Sequence, residues 1–150
     1  MTGYDPFGEL IKSIDFSWNY GNSSWDTTNI TLPSQLDGFG RPVVLNKMYY
    51  YGAGVYDTTG RIEIQYSPVG KRTFSQELSW NGEMSYWDTV QVIRTYYDAL
   101  NRDTLELTWQ FDYYYYMLLP YSKKLSTYDA NGNLVLDALL LLVPNRLVWK

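Results

Sequence analysis

The chain has 150 residues, a net charge of −4 and 18% aromatic residues, with 16 Tyr, 6 Trp and 5 Phe against only 19% charged side chains. That balance excludes a disordered tail, and the absence of any basic cluster longer than Lys71 with Arg72 or Lys123 with Lys124 excludes a phosphate-tracking surface, so no nucleic-acid partner is expected. With no Cys and no His there is no disulfide, thiol nucleophile, imidazole base or ordinary transition-metal site, and no cofactor is expected.

The elements recur from the first residues onward. "YDPFGE" at 4–9 is a turn with Asp5 and Gly8, and "FGELIKSI", which has a trace of helical spacing, is assigned to a strand by its place in the repeat. "WNYGNSSW" at 18–25 is a turn of a second kind, flanked by Trp18 and Trp25 and followed by "DTT". "LDGFGR" at 36–41 repeats the first turn with Asp37 and Gly40, and Tyr49 and Tyr56 repeat the flanking rings. The strand "RIEIQY" leads into "YSPVGK" at 66–71 with Gly70; Trp80 and Trp87 then flank "NGEMSY". "VQVIRTYY" enters "YDALNR" at 97–102 with Asp98 and Asn101, and after Phe111 the last copy, "YDANGN" at 128–133, carries Asp129 and Gly132.

These landmarks keep one period. Trp18, Tyr49, Trp80 and Phe111 are spaced by 31, as are Trp25, Tyr56, Trp87, Leu118 and Trp149, and only the turn at 36–41 is displaced, by one residue. Asp caps its own backbone two residues on, and Gly or Asn accepts positive φ, so D-x-x-G is local turn chemistry and not a catalytic pair. Between turns the pattern alternates. Arg72, Phe74, Gln76, Leu78 and Trp80 oppose Thr73, Ser75, Glu77 and Ser79; one repeat later Leu105, Leu107, Trp109 and Phe111 oppose Thr104, Glu106, Thr108 and Gln110. The expected fold is all-β: tandem 31-residue β-hairpin repeats, about 4.5 units in a single array over 1–150, forming an antiparallel meander or a flattened solenoid or sandwich. A bare sheet of this width exposes its aromatic face, so the landmark rings are assigned to packing between units, or against another copy. The array begins and ends without a distinct cap, the pattern expected of a segment of a longer array or of a subunit capped by its neighbours.

"YDALNR", "YDANGN" and "LDGFGR" resemble the core of YD repeats, the Rhs-type repeats of bacterial surface and toxin-shell proteins, and with "SWDTT" and "YWDT" the chain is similar to tandem repeats in large secreted surface proteins of Bacteroidota. The resemblance implies an extracellular or cell-surface structural protein, a stalk, adhesin segment or fibre subunit, with no catalytic residues. The period is longer than that of the toxin-shell repeats. The motif's Arg stands at Arg41 and Arg102 and is replaced at Glu9, Lys71 and Asn133.

Other chemistries are weak. "DANGNLVLD" alternates oxygen-bearing residues from Asp129 to Asp137, but its Gly is misplaced for a calcium loop. The acids sit in turns or singly, not as the paired carboxylates of a glycosidase, so no enzyme is expected. Asn22 and Asn29 lie in glycosylation sequons that read as coincidence in polar turns. No apolar run reaches the roughly 18 residues of a membrane span and no signal peptide is evident, so no membrane insertion is expected. Partners are expected to be further copies or flanking repeats; the alternatives are a polysaccharide on an aromatic platform and a place in a toxin-encapsulating shell. The runs "YYYY" at 113–116 and "LLLL" at 139–142 break the pattern and favour intermolecular contact.

Overall fold

The structure, a computed structural model, describes residues 1–4, 10–52 and 55–142. It is all-β among them. Strands β1 (Thr2–Tyr4), β2 (Leu10–Asn19), β3 (Ser24–Leu36), β4 (Pro42–Gly52) and β5 (Val55–Tyr66) are followed by β6 (Arg72–Asn81), β7 (Tyr86–Tyr97), β8 (Asp103–Asp112), β9 (Met117–Tyr128) and β10 (Leu134–Leu141). They form one antiparallel meander in chain order, β1 to β10. Of the two arrangements the sequence allows, a meander or a solenoid or sandwich, this is the first. Turns of the Y-D kind lead from odd strands to even ones; the aromatic-flanked turns lead back.

The strands are longer than the pattern of alternation implies, and the return strands β3, β5 and β9 each accommodate a bulge. Asp15 and Phe16 face Asn29 and Thr27, Lys47 and Met48 face Gly60 and Thr58, and Thr108 and Trp109 face Ser122 and Pro120. The unpaired residues are therefore Thr28, Thr59 and Tyr121, again on the 31-residue period. At the first two, the threonine hydroxyl donates to a main-chain carbonyl of the facing strand, Asp15 O at 3.3 Å and Lys47 O at 3.5 Å. This gives the recurring "DTT" a role: its second Thr carries the extra residue. A bulge shifts the side chains beyond it by one position, so each repeat resets which residues share a face.

The chain divides into two compact units, Met1–Ile64 with Glu77–Asp88, and Gln65–Gln76 with Thr89–Lys150. The first contains the buried apolar core, formed by Val44, Leu45, Ile64 and Leu78 with the enclosed Pro42. Leu45 sits opposite Ile62 and is only 2% exposed. Beside it Gly60 faces Lys47, whose ammonium reaches Glu77 at 2.5 Å. A Cβ at position 60 would stand 3.3 Å from Lys47 Cδ and 3.2 Å from Leu78 O, so the glycine is the gap through which the lysine stem passes.

The second unit buries no large apolar side chain among its described residues. Its buried side chains are Ser75, Thr108 and Ser126, and Ser126 Oγ donates to Asp137 Oδ1 at 3.0 Å. Burial there is partial and spread over cross-strand pairs, each contributing a few tenths to about 1 kcal/mol. Truncating Leu45, the most enclosed of the core leucines among the described residues, should therefore weigh heavily. Leu45→Ala is expected to destabilise by about 2–4 kcal/mol in urea unfolding, while Leu139→Ala, on the exposed β10, should change stability by less than about 0.5 kcal/mol.

Candidate functional site

No cluster of acidic side chains with metal-binding geometry occurs among the described residues. The features that repeat are the two turns, the rings beside them and the tyrosines that link one hairpin to the next.

The four described Y-D turns share one geometry. In each, the residue at the Asp position exchanges main-chain hydrogen bonds with the residues three and four further on: Gly40 N to Asp37 O at 3.0 Å and Asp37 N to Arg41 O at 2.9 Å, repeated at 67–71, 98–102 and 129–133. The residue two positions before the next strand is left-handed, at φ 79 for Gly40, 86 for Gly70, 60 for Asn101 and 87 for Gly132. This is a type I turn closed by a left-handed residue, a common three-residue hairpin loop. The aspartate locks it. Asp98 Oδ1 accepts from Leu100 N at 2.9 Å and Arg102 N at 3.0 Å, while Oδ2 accepts from Arg102 Nε at 2.8 Å and pairs with Nη2 at 2.7 Å. Asp37 does the same with Phe39 and Arg41. Asp129 takes Asn131 N, Asn133 N and the Asn133 amide, so its oxygens serve the turn. Ser67 substitutes with one bond, accepted from Lys71 N at 3.2 Å. Asp5 and Gly8 lie outside the described residues.

These bonds shift the carboxylates. Donation from the Arg102 side chain and main chain holds Asp98 below its ordinary value, and donation from Asn133 does so for Asp129. At Asp37 partial desolvation pulls upward and is outweighed by the donors of Arg41 and Phe39.

The second turn is a four-residue loop. It spans 20–23, 82–85 and 113–116, and its last residue is left-handed: Ser23 at φ 55, Ser85 at 55 and Tyr116 at 53. The "YYYY" run is thus the whole of one loop, with Tyr116 in a conformation that a bulky side chain rarely adopts. A polar residue before the loop caps it: Asn19 Oδ1 accepts from Gly21 N, Asn81 Oδ1 from Met84 N, and Asp112 Oδ1 from Tyr114 N and Tyr115 N. The amides of Asn19 and Asn81 also bond Asp26 and Asp88, the acids of "WDTT" and "WDTV".

The landmark rings meet across their own loops. Trp18 and Trp25 are cross-strand partners with centroids 5.5 Å apart at 73°, and Trp80 and Trp87 lie 5.1 Å apart at 61°. In the second hairpin Tyr56 pairs with Tyr50, while Tyr49 meets Tyr51 on the same strand. Phe111 meets Tyr113, and its cross-strand partner is Leu118. All these pairs stay partly open to solvent, Trp25 at 67%. Trp149 lies outside the described residues.

Contacts from hairpin to hairpin come from a residue that the motif names but turn chemistry does not explain. Tyr97 OH donates to Arg72 O at 2.8 Å, and Tyr128 OH to Asp103 O at 3.1 Å and Asp103 Oδ1 at 3.0 Å. The Arg102 guanidinium lies 4.5 Å from the Tyr128 centroid, and its Nη1 has no hydrogen-bond partner, so that edge rests on the ring and beside Gly132, where a Cβ would stand 3.5 Å away. Desolvation, then the bond and charge of Asp103, push the Tyr128 phenol upward. The signal for this joint in the sequence is the recurrence of Tyr97 and Tyr128 at the 31-residue spacing.

Among the grooves of the second unit, two share residues with each other. One of about 390 Å³ is lined by Val92, Arg94, Tyr96, Leu107, Trp109 and Leu118. The other, about 630 Å³, shares Arg94 and Tyr96 and adds polar side chains including Gln65, Ser67 and Thr73.

No protein-family model and no curated protein matches the sequence. Solved structures are similar in fold. A protein of unknown function from Bacteroides fragilis NCTC 9343 superposes with a TM-score of 0.58 at 14% identity, over 83% of this chain and 90% of that one. A DUF3836 family protein from Bacteroides vulgatus ATCC 8482 superposes with a TM-score of 0.50 at 14% identity, over 62% of this chain and 90% of that one. At this identity the likeness is one of architecture.

Two outcomes follow from the turns. A carboxylate with a lowered folded pKa contributes stability that is present above its unfolded value, near 3.8 for these aspartates, and is lost as pH falls through the folded value. The melting midpoint should therefore drop on acidification below about pH 4, and the triple variant Asp37→Asn, Asp98→Asn, Asp129→Asn should show a flatter profile there by circular dichroism. Gly132→Ala, at φ 87, is expected to cost about 1–2 kcal/mol in chemical unfolding, with Asn101→Gly close to neutral.

Proposed function

We propose that the chain is a structural β-repeat protein of the bacterial cell surface or extracellular space, acting through packing of its exposed apolar side chains against further copies or flanking repeats. The observation that carries this reading is the exposure of large side chains in a unit that buries no large apolar side chain among its described residues. Tyr114 and Tyr116 are 83% and 81% exposed in their loop, and Leu139 to Leu142 are all exposed along and just after β10. Surfaces of that kind are covered in working proteins. The resemblance of the turn motifs to exported YD-type repeats supports the location, and a toxin-encapsulating shell would be one form of such an assembly. A second reading, a carbohydrate-binding module, is favoured by the grooves that place Trp109 and Tyr96 beside polar groups.

Sedimentation velocity at rising concentration, with electron microscopy of the same samples, tests the leading reading. Concentration-dependent larger species are expected; a monomer that persists at high concentration overturns it. Tyr116→Gly should reduce association and, by relieving a left-handed tyrosine, raise stability by up to about 1 kcal/mol.

A further inference from the structure

The register of the second unit sorts its charges by side. Arg94 of β7 faces Leu107 of β8, and Leu107 faces Lys123 of β9, so the three form one row on one side of the sheet. The neighbouring rows on that side are Tyr96, Leu105 and Leu125, and Val92, Trp109 and Pro120. None of the nine is acidic. On the opposite side the row is Thr95, Glu106 and Lys124, and Lys124 is paired to Asp137 at 3.4 Å. Arg94 and Lys123 have no carboxylate partner among the described residues; Arg94 lies 5.7 Å from the Phe74 ring centroid. In a chain of net charge −4, two unneutralised cations stand across an apolar residue, about 10 Å apart at two strand spacings.

We propose that this side of β7–β9 binds an acidic polysaccharide, with Arg94 and Lys123 taking uronate carboxylates and Tyr96 and Trp109 stacking on sugar rings. The inference rests on the carbohydrate reading above and gives it a site and a ligand class. Both grooves have the size of small-ligand pockets. They meet at Arg94 and Tyr96, and the larger one supplies the hydroxyls and amides of Gln65, Ser67, Thr73 and Asn101, groups suited to sugar hydroxyls; the acid in its lining, Asp98, is neutralised by the Arg102 guanidinium and bonded to the turn's N–H groups. A lipid surface has no use for that polar lining. An acidic peptide added as a strand needs a free edge, and β8 is paired on both sides.

The test is electrophoresis of the full chain through native gels cast with polygalacturonate or with a neutral galactan. Retardation by the polyuronate alone is expected, with Arg94→Gln and Lys123→Gln each weakening it about tenfold, the worth of one charge-assisted hydrogen bond. Neither side chain holds an ion pair, so both variants should keep the wild-type melting curve. Lys124→Gln removes the same charge from the opposite side and should leave retardation unchanged. Equal retardation by the galactan, equal loss in Lys124→Gln, equal binding of polyglutamate, or binding to phosphatidylglycerol vesicles in place of polyuronate would each overturn the proposal. Self-association, measured separately by sedimentation, is independent of every one of these outcomes.

Discussion

The side-chain oxygen at the head of the described Y-D turns, a carboxylate at Asp37, Asp98 and Asp129 and a hydroxyl at Ser67, makes the interaction on which the rest of this fold depends. A sheet built of one layer cannot rely on a deep core to select its register, and a slip of one residue would turn every side chain to the opposite face. At Asp37 and Asp98 a single side chain closes the loop twice over, accepting two main-chain N–H groups with one oxygen and an arginine with the other. The left-handed residue at 40, 70, 101 and 132 completes the reversal. Once the turn is set, the first cross-strand pairs are set, and the ladder follows.

Stability is then distributed. The first compact unit has a small apolar centre around Leu45 and Pro42, whereas the second relies on ladders, half-buried pairs and the tyrosine joints. Such joints are short in sequence range, 25 residues from Tyr128 to Asp103, so within the second unit neighbouring hairpins are tied together and the energetics there are close to one-dimensional. Rings beside the loops at 20–23 and 82–85 do for the far end of those hairpins what the aspartates do for the near end: they clamp facing strands where the chain reverses. Their positions explain why tryptophan recurs there without forming a continuous interior.

The two sides of the second unit differ in charge because the bulge at Tyr121 changes the alternation of β9. Without it Lys123 would share a side with Lys124's present neighbours, and the two lysines would exchange roles. One inserted residue thereby separates a neutralised polar side from an apolar side that carries two unpaired cations. The physical consequence is a surface whose chemistry differs from the composition of the chain as a whole, which is acidic.

Much of the architecture was legible in the sequence because it is written in local chemistry. The period of 31, the D-x-x-G turns, the ring pairs at 18 and 25 or 80 and 87, and the all-β class follow from residues whose conformational preferences act over a few positions. The second Thr of "DTT", the hydroxyl bonds of Tyr97 and Tyr128, and the row of Arg94, Leu107 and Lys123 did not follow. Each depends on which residue of one strand lies opposite which residue of the next, and bulges make that register different from simple alternation. Turn identity and spacing were therefore determined by the sequence alone, since a turn's hydrogen bonds begin and end within five residues. Face composition and the pairing of charges were decided only by the tertiary structure, since they depend on alignment across strands.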